Sequence, residues 1–245
     1  MCLLLPLKPV QAKENSHYQI LESRDHDEFS FTQGLEIYEG LMYESSGLYG
    51  KSSVRKYQPD NDDTLVKLPL ADEYFAEGLT LLNGELFVLS WRKGTLFVMD
   101  PDDLAIQRRI SYEGDAWGLA NNGQQLIMSD GSDTIYFRDP ENFAIEREVK
   151  VSSQQHAVHR INELEYVGGT IWANIWLSSV IVNIDPDTGE LTGYYDLQDI
   201  VKNHLTTKES VLNGIAYDET EEAFWITGKL WSKRYLIKFG QPQLP

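Results

Sequence analysis

Apolar positions in this chain fall in short runs of four to six residues, rich in aromatic and β-branched side chains and bounded by turn residues. The runs at 41–45, 86–90, 125–129, 170–174 and 223–227 form one set, and those at 54–57, 95–99, 134–138, 180–184 and 235–239 form a second. Apart from residues 197–204, where a short helix is expected, no stretch holds a 3.6-residue period beyond two turns. A phrase precedes each run of the first set: Phe31-Thr-Gln-Gly-Leu35, Phe75-Ala-Glu-Gly-Leu79, Asp115-Ala-Trp-Gly-Leu119, a degraded Ile161-Asn-Glu-Leu164, and Val211-Leu-Asn-Gly-Ile215. Gly34, Gly78, Gly118, Glu163 and Gly214 mark it at intervals of 40 to 51 residues, a period common to helical solenoids and propeller blades.

The strand-like content decides between them. Asp-Pro turns at Asp100, Asp139 and Asp185 follow the second run in three copies, and a further strand follows each turn, at 105–110, 145–149 and 191–196. Five copies of four short strands predict an all-β, five-bladed β-propeller with four-stranded antiparallel blades. The last copy ends after three strands, and the segment 17–22 reads as a strand without partners. This N-terminal strand is expected to close the last blade and cover its open edge. The expected organisation is a tail at 1–16 and one propeller domain over 17–245.

Composition narrows the function. The chain has 245 residues, 42% of them hydrophobic, enough to close a core. A net charge of −17 argues against nucleic-acid partners and anionic lipid, which call for clustered Lys and Arg. Cys2 is the only cysteine, so an intrachain disulfide, a cysteine-rich zinc site and an iron–sulfur cluster are excluded. No apolar run is long enough for a membrane-spanning helix, so no membrane insertion is expected. The apolar stretch at 1–7 and the small-residue pattern at 10–12 read as the tail end of an export signal, or as a frayed terminus.

The variable positions of the phrase are candidates to face the central channel: Gln33, Glu77, Trp117, Asn162 with Glu163, and Asn213. A purely structural protein would fill equivalent places alike, whereas these are polar, acidic and aromatic in turn. Glu77, set among aromatics, should lose hydration and gain a raised pKa suited to proton transfer; the alternative is a carboxylate tied to channel amides. Trp91, Trp117 and Trp176 can wall a ligand pocket, while Trp172 and Trp225 are expected in inter-blade packing. Lys229, after a glycine, either reaches the channel or lies on an exposed loop. The pair His156 and His159, the Asp-Pro turns and Gly47-Leu-Tyr-Gly50 match no zinc, EF-hand or phosphate-loop pattern, and no Gly-x-Ser-x-Gly elbow occurs.

Taken in order, Phe31-Thr-Gln-Gly-Leu-Glu36, Phe75-Ala-Glu-Gly-Leu-Thr80, Trp117-Gly-Leu119, Ile161-Asn-Glu-Leu-Glu165, Ile171-Trp-Ala-Asn-Ile-Trp176, Leu212-Asn-Gly-Ile-Ala216 and Thr227-Gly-Lys-Leu-Trp231 resemble the plant- and bacterial-type glutaminyl cyclases, or glutamine cyclotransferases. The resemblance spans about residues 17–240. It implies a five-bladed propeller that turns N-terminal glutamine of peptides or proteins into pyroglutamate and releases ammonia. It implies no metal and no cofactor, export to the periplasm or medium, and a monomer. By resemblance Glu77 carries the proton, with Lys229, Asn162 and Gln33 orienting and polarising the substrate. Phe31, Phe75, Trp91, Trp117 and Trp176 form the aromatic pocket. Ala76 and Ala116 depart from the glycines of the family motifs and are expected to narrow the turn beside Glu77 and Trp117. Two other readings stay open: a propeller that binds peptides without turnover, and a propeller enzyme built around a central cation.

Overall fold

A computed structural model describes residues 17–244, so the tail expected at 1–16 lies outside the described residues. The chain starts with β1 (Tyr18–Asp25). Blade 1 follows with β2 (Thr32–Tyr38), β3 (Leu41–Ser46), β4 (Ser53–Tyr57) and β5 (Thr64–Pro69). Blade 2 is β6 (Ala76–Leu82), β7 (Glu85–Ser90), β8 (Thr95–Met99) and β9 (Ile106–Ser111). Blade 3 is β10 (Leu119–Asn121), β11 (Leu126–Ser129), β12 (Thr134–Arg138) and β13 (Ile145–Lys150). A small hairpin of β14 (Ser152–Ser153) and β15 (His156–Ala157) precedes blade 4, which is β16 (Ile161–Val167), β17 (Thr170–Ile175), β18 (Val180–Ile184) and β19 (Leu191–Asp196). After α1 (Gln198–Val201), blade 5 is β20 (Leu212–Asp218), β21 (Ala223–Gly228) and β22 (Lys233–Phe239). Every blade is an antiparallel meander, and β1 pairs antiparallel with β22 as its fourth strand. The expected five-bladed propeller and its closure by the N-terminal strand are therefore both present.

Five apolar cores lie between neighbouring sheets, one at each blade interface. Each middle strand is buried on both faces, which is why its sequence reads as a nearly unbroken apolar run. In β7, Leu86 and Val88 face blade 1 while Phe87 and Leu89 face blade 3. Outer strands keep one solvated face, as the alternating exposure along β5, β9 and β13 shows. Trp172 stacks on Tyr195 and packs on Phe224 and Phe239, and Trp225 lies in the core between blades 5 and 1, the inter-blade roles expected of them. The helix expected over 197–204 shortens to one turn, because the chain breaks into tight turns that lay His204 flat on Trp231 at 4.3 Å.

The closure is clasped by a buried charged network. Arg234 of β22 donates to the backbone oxygens of Asp25 and Pro59 and to the Asp62 carboxylate. Arg55 donates to Glu44 at 2.8 Å, Thr32 donates to the same carboxylate at 2.7 Å, and His26 bridges Glu44 and the carbonyl of Trp231. Burial pushes the Glu44 carboxyl up, but Arg55 and His26 outweigh it and hold the group well below the usual carboxylate range.

Candidate functional site

Two repeated backbone positions build the site. The first is the residue before the Gly of the phrase, at the start of each inner strand. At Gly78 a Cβ would run into the backbone of the next inner strand, so the missing side chain lets the strands close in around the channel. The residue just before then sits at the channel mouth: Gln33, Glu77, Trp117 and Asn162 in blades 1 to 4. The second position is the residue after each second strand: Gly47, Trp91, Asp130, Trp176 and Lys229. In four blades its amide donates to a carbonyl at the entry to the inner strand, as Trp91 does to Phe75 and Lys229 to Val211, both at 2.9 Å. The residue after it is left-handed in every blade: Leu48 (φ 86), Arg92 (φ 54), Gly131 (φ 83), Leu177 (φ 63) and Leu230 (φ 60). In blades 2, 4 and 5 the side chain just before that bend, Trp91, Trp176 or Lys229, lines the cavity. At Gly131 a Cβ would collide with the ring of Trp117, so glycine there seats one pocket wall.

The side chains enclose a cavity of about 290 Å³. Phe31, Gln33, Phe75, Glu77, Trp91, Trp117, Asn162, Trp176 and Lys229, the site residues that the resemblance implies, all line it. Its walls are edge-to-face aromatic pairs: Trp117 on Trp176 at 5.5 Å, Phe31 on Phe75 at 6.0 Å, and Phe75 on Trp91 at 5.5 Å. Ala76 and Ala116 are fully buried in the cores beside blade 2, so their methyls do not intrude on the cavity.

Glu77 and Lys229 are both 4% exposed and do not form a direct ion pair. Burial pushes the Glu77 carboxyl well above the usual carboxylate range; Lys229 pulls it back and Asp115 adds to the rise. Burial likewise lowers Lys229 to about 8 against the pull of Glu77 and Glu209, and its Nζ sits 4.9 Å from the centre of the Phe31 ring. Among the described residues no group donates a hydrogen bond to the Glu77 carboxyl. Trp91 Nε1 and Asn162 Oδ1 are also buried at the cavity with no partner. A site of this kind keeps its polar groups free for something that enters it.

Glu163 and Asn213 do not line the cavity. Glu163 stands where the other blades have Gly and accepts from the backbone N–H of Leu35 across the channel. Asn213 Nδ2 donates to the carbonyl of Thr32 at 2.9 Å and lies 3.4 Å from Gln33 Oε1. Leu48, Leu177, Lys208 and Glu209 complete the lining, and the sequence pattern does not single them out. Leu48 and Leu177 share the left-handed position of the repeat, a signal visible only once the strand ends are known. Lys208 and Glu209 come from the long loop into blade 5. The carboxylates of Asp100, Asp139 and Asp185 are taken by amides of their own turns. Among the described residues no group of three or more His, Cys, Asp or Glu side chains is placed to hold a metal ion.

The family model described as glutamine cyclotransferase matches residues 2–239. A glutaminyl-peptide cyclotransferase of Arabidopsis thaliana is 38% identical over 229 residues, covering 91% of this chain and 71% of that protein. The crystal structure of Myxococcus xanthus glutaminyl cyclase is 33% identical with a TM-score of 0.85, covering 91% of this chain and 96% of that one. The WD40 β-propeller domain of Doa1, at 10% identity and a TM-score of 0.51 over 83% of this chain and 62% of that one, shares the fold alone.

Proposed function

The chain belongs to the glutamine cyclotransferase family, and from that premise we propose that its cavity converts the N-terminal glutamine of peptides and proteins into pyroglutamate with release of ammonia, without a metal ion. The reaction joins the α-nitrogen to the side-chain Cδ and breaks the bond from Cδ to the amide nitrogen. Both reacting groups belong to one residue, so the protein must first hold a folded-back conformer. The aromatic walls are suited to that. Trp117 and Trp176 hold the chain of methylenes, and Phe31, Phe75 and Trp91 enclose the rest.

Protons must also move. The amine loses one as it attacks, and the amide nitrogen gains one before it leaves. A single carboxylate can do both. Glu77 in its ionised form takes the proton from the amine and hands it to departing ammonia, ending as it began. The observation that carries this reading is the Glu77 carboxyl, buried in the cavity with no protein donor among the described residues and with Lys229 as its cationic neighbour. Lys229, the Gln33 amino group and Trp91 Nε1 supply donors for the oxyanion that develops on the side-chain carbonyl. Asn162 Oδ1 accepts from the amine and fixes its approach.

The cavity is lined from all five blades of the propeller, which supports a monomer as the working unit. The apolar stretch at 1–7 supports an exported enzyme, and among the described residues no helix is long and apolar enough to cross a membrane.

The test is ammonia release from a glutaminyl dipeptide, with and without a strong chelator. Release above the spontaneous rate that survives chelation is expected. Loss with the chelator would put a metal in the reaction, and no release from folded protein would leave a peptide-binding propeller.

A further inference from the structure

The two ends of the propeller differ in what they expose. The loops before the inner strands and after the second strands meet at the cavity mouth. Among the described residues these loops expose Phe29 (81%), Leu205 (60%), Tyr49 (51%) and Leu177 (49%). The turns at the opposite end expose no large apolar side chain; the remaining ones outside the C-terminus lie on outer strands. Single exposed apolar residues are ordinary on a protein surface, but these four share one end of the propeller and two of them adjoin the cavity.

The collar continues the cavity. Leu177 is itself part of the lining, and Tyr49 packs on Phe75 at 5.4 Å and on Trp91 at 6.5 Å. The same loops carry charge of both signs, with Arg92, Lys93 and Lys208 beside Asp27, Glu28, Asp72, Glu73, Glu113, Asp115 and Glu209. The part of the rim that adjoins the cavity, Tyr49 on Phe75 and Trp91 and Leu177 in the lining, is apolar.

We propose that this collar is a subsite for an apolar side chain at the second position of the substrate, with Tyr49 and Leu177 as its specificity-determining residues. The inference rests on the cyclase reading above. The glutaminyl residue fills the cavity, and the chain that follows it must leave through the mouth, where these side chains wait.

The experiment compares kcat/KM for Gln-Phe-amide and Gln-Ala-amide. Burying most of a phenyl ring against the collar should favour the first by about tenfold. Tyr49→Ser combined with Leu177→Ser should bring the ratio within about twofold, because the apolar area gained on binding is gone. Leu65→Ser, an exposed leucine on β5 far from the mouth, should leave the ratio as it was. A ratio near one in the unaltered enzyme overturns the subsite while leaving the cyclase reading intact. Failure to release ammonia from either peptide overturns the cyclase reading and the subsite with it. A dimer in sedimentation that the collar substitutions dissolve, with the ratio unmoved, would overturn the subsite and make the collar a contact between two copies.

Discussion

Two clusters of buried charge lie within one propeller and behave in opposite ways. In the clasp between blades 1 and 5, Glu44 is fully buried yet held ionised, because Arg55, His26 and Thr32 all donate to it. In the cavity, Glu77 is buried to nearly the same degree, but no group among the described residues donates to its carboxyl, and its proton is held tightly. Burial is common to both, and the number of donors is the difference. A carboxylate surrounded by donors is locked in one charge state and serves the fold. One left without them can change charge state when a substrate supplies the partner.

The sharpest way to break this comparison is to remove each carboxylate in turn. Glu44→Ala leaves Arg55 buried and without its main partner, and should cost about 3–5 kcal/mol of stability, read as the shift of a urea transition. The folded fraction should keep most of its turnover. Loss of turnover in folded Glu44→Ala protein would merge the clasp with the site. Glu77→Gln should do the reverse. Its kcat should fall ~100-fold or more if it carries the proton, while its unfolding midpoint holds or rises, since no protein hydrogen bond is lost. A folded Glu77→Gln enzyme with near-normal kcat would remove Glu77 from the proton path.

The two clusters also differ in how far they can be read from the sequence. Gln33, Glu77, Trp117 and Asn162 sit at one position of a repeat, so a sequence period alone lines them up. Trp91, Trp176 and Lys229 follow the second strand in their blades and are legible for the same reason. The clasp is not legible. His26 meets the carbonyl of Trp231, 205 residues away, and no local pattern announces such a pairing. Glu163 misleads because its register in the phrase suggests a channel-mouth residue, whereas it fills a glycine position and turns down to the amide of Leu35. The closing strand can be foreseen because a lone strand beside a three-stranded blade has one place to pair. The collar of Tyr49, Leu177, Phe29 and Leu205 lies on loops, where apolar residues carry no period.

Titration sharpens the comparison at smaller scale. Lys229 is held at about 8 by burial. Its cationic form is the one that steadies the oxyanion, so kcat at saturating substrate should fall about tenfold per unit well above pH 8, a limb separate from the acid-side loss that comes as Glu77 takes up its proton. Lys229→Arg keeps the charge through this range and should move the falling limb upward by more than one pH unit, even if the maximal rate drops. A limb that stays near 8 in Lys229→Arg protein would assign it to another group.

The smallest effect tests whether amide donors without a cation suffice to lock a half-buried carboxylate. Glu165 accepts from the backbone N–H groups of Tyr166 and Tyr217, yet burial still raises it to about 7. No Arg or His among the described residues donates to it as in the clasp. In the unfolded chain its pKa returns to about 4.3. Between those values the folded form binds the extra proton, so stability contributed by Glu165 is complete below pH 4 and is lost as pH rises through 7. Glu44 has the opposite sign, with its contribution lost only as the medium turns strongly acidic. Glu165→Gln removes the titration and keeps an acceptor for one amide. Its stability relative to the parent should therefore climb by on the order of 1 kcal/mol between pH 6 and pH 8 and then level off. Urea midpoints at intervals across that range give the slope directly. A difference that does not change with pH would mean that two amides hold this carboxylate as firmly as Arg55 holds Glu44, and that donor number outweighs donor charge.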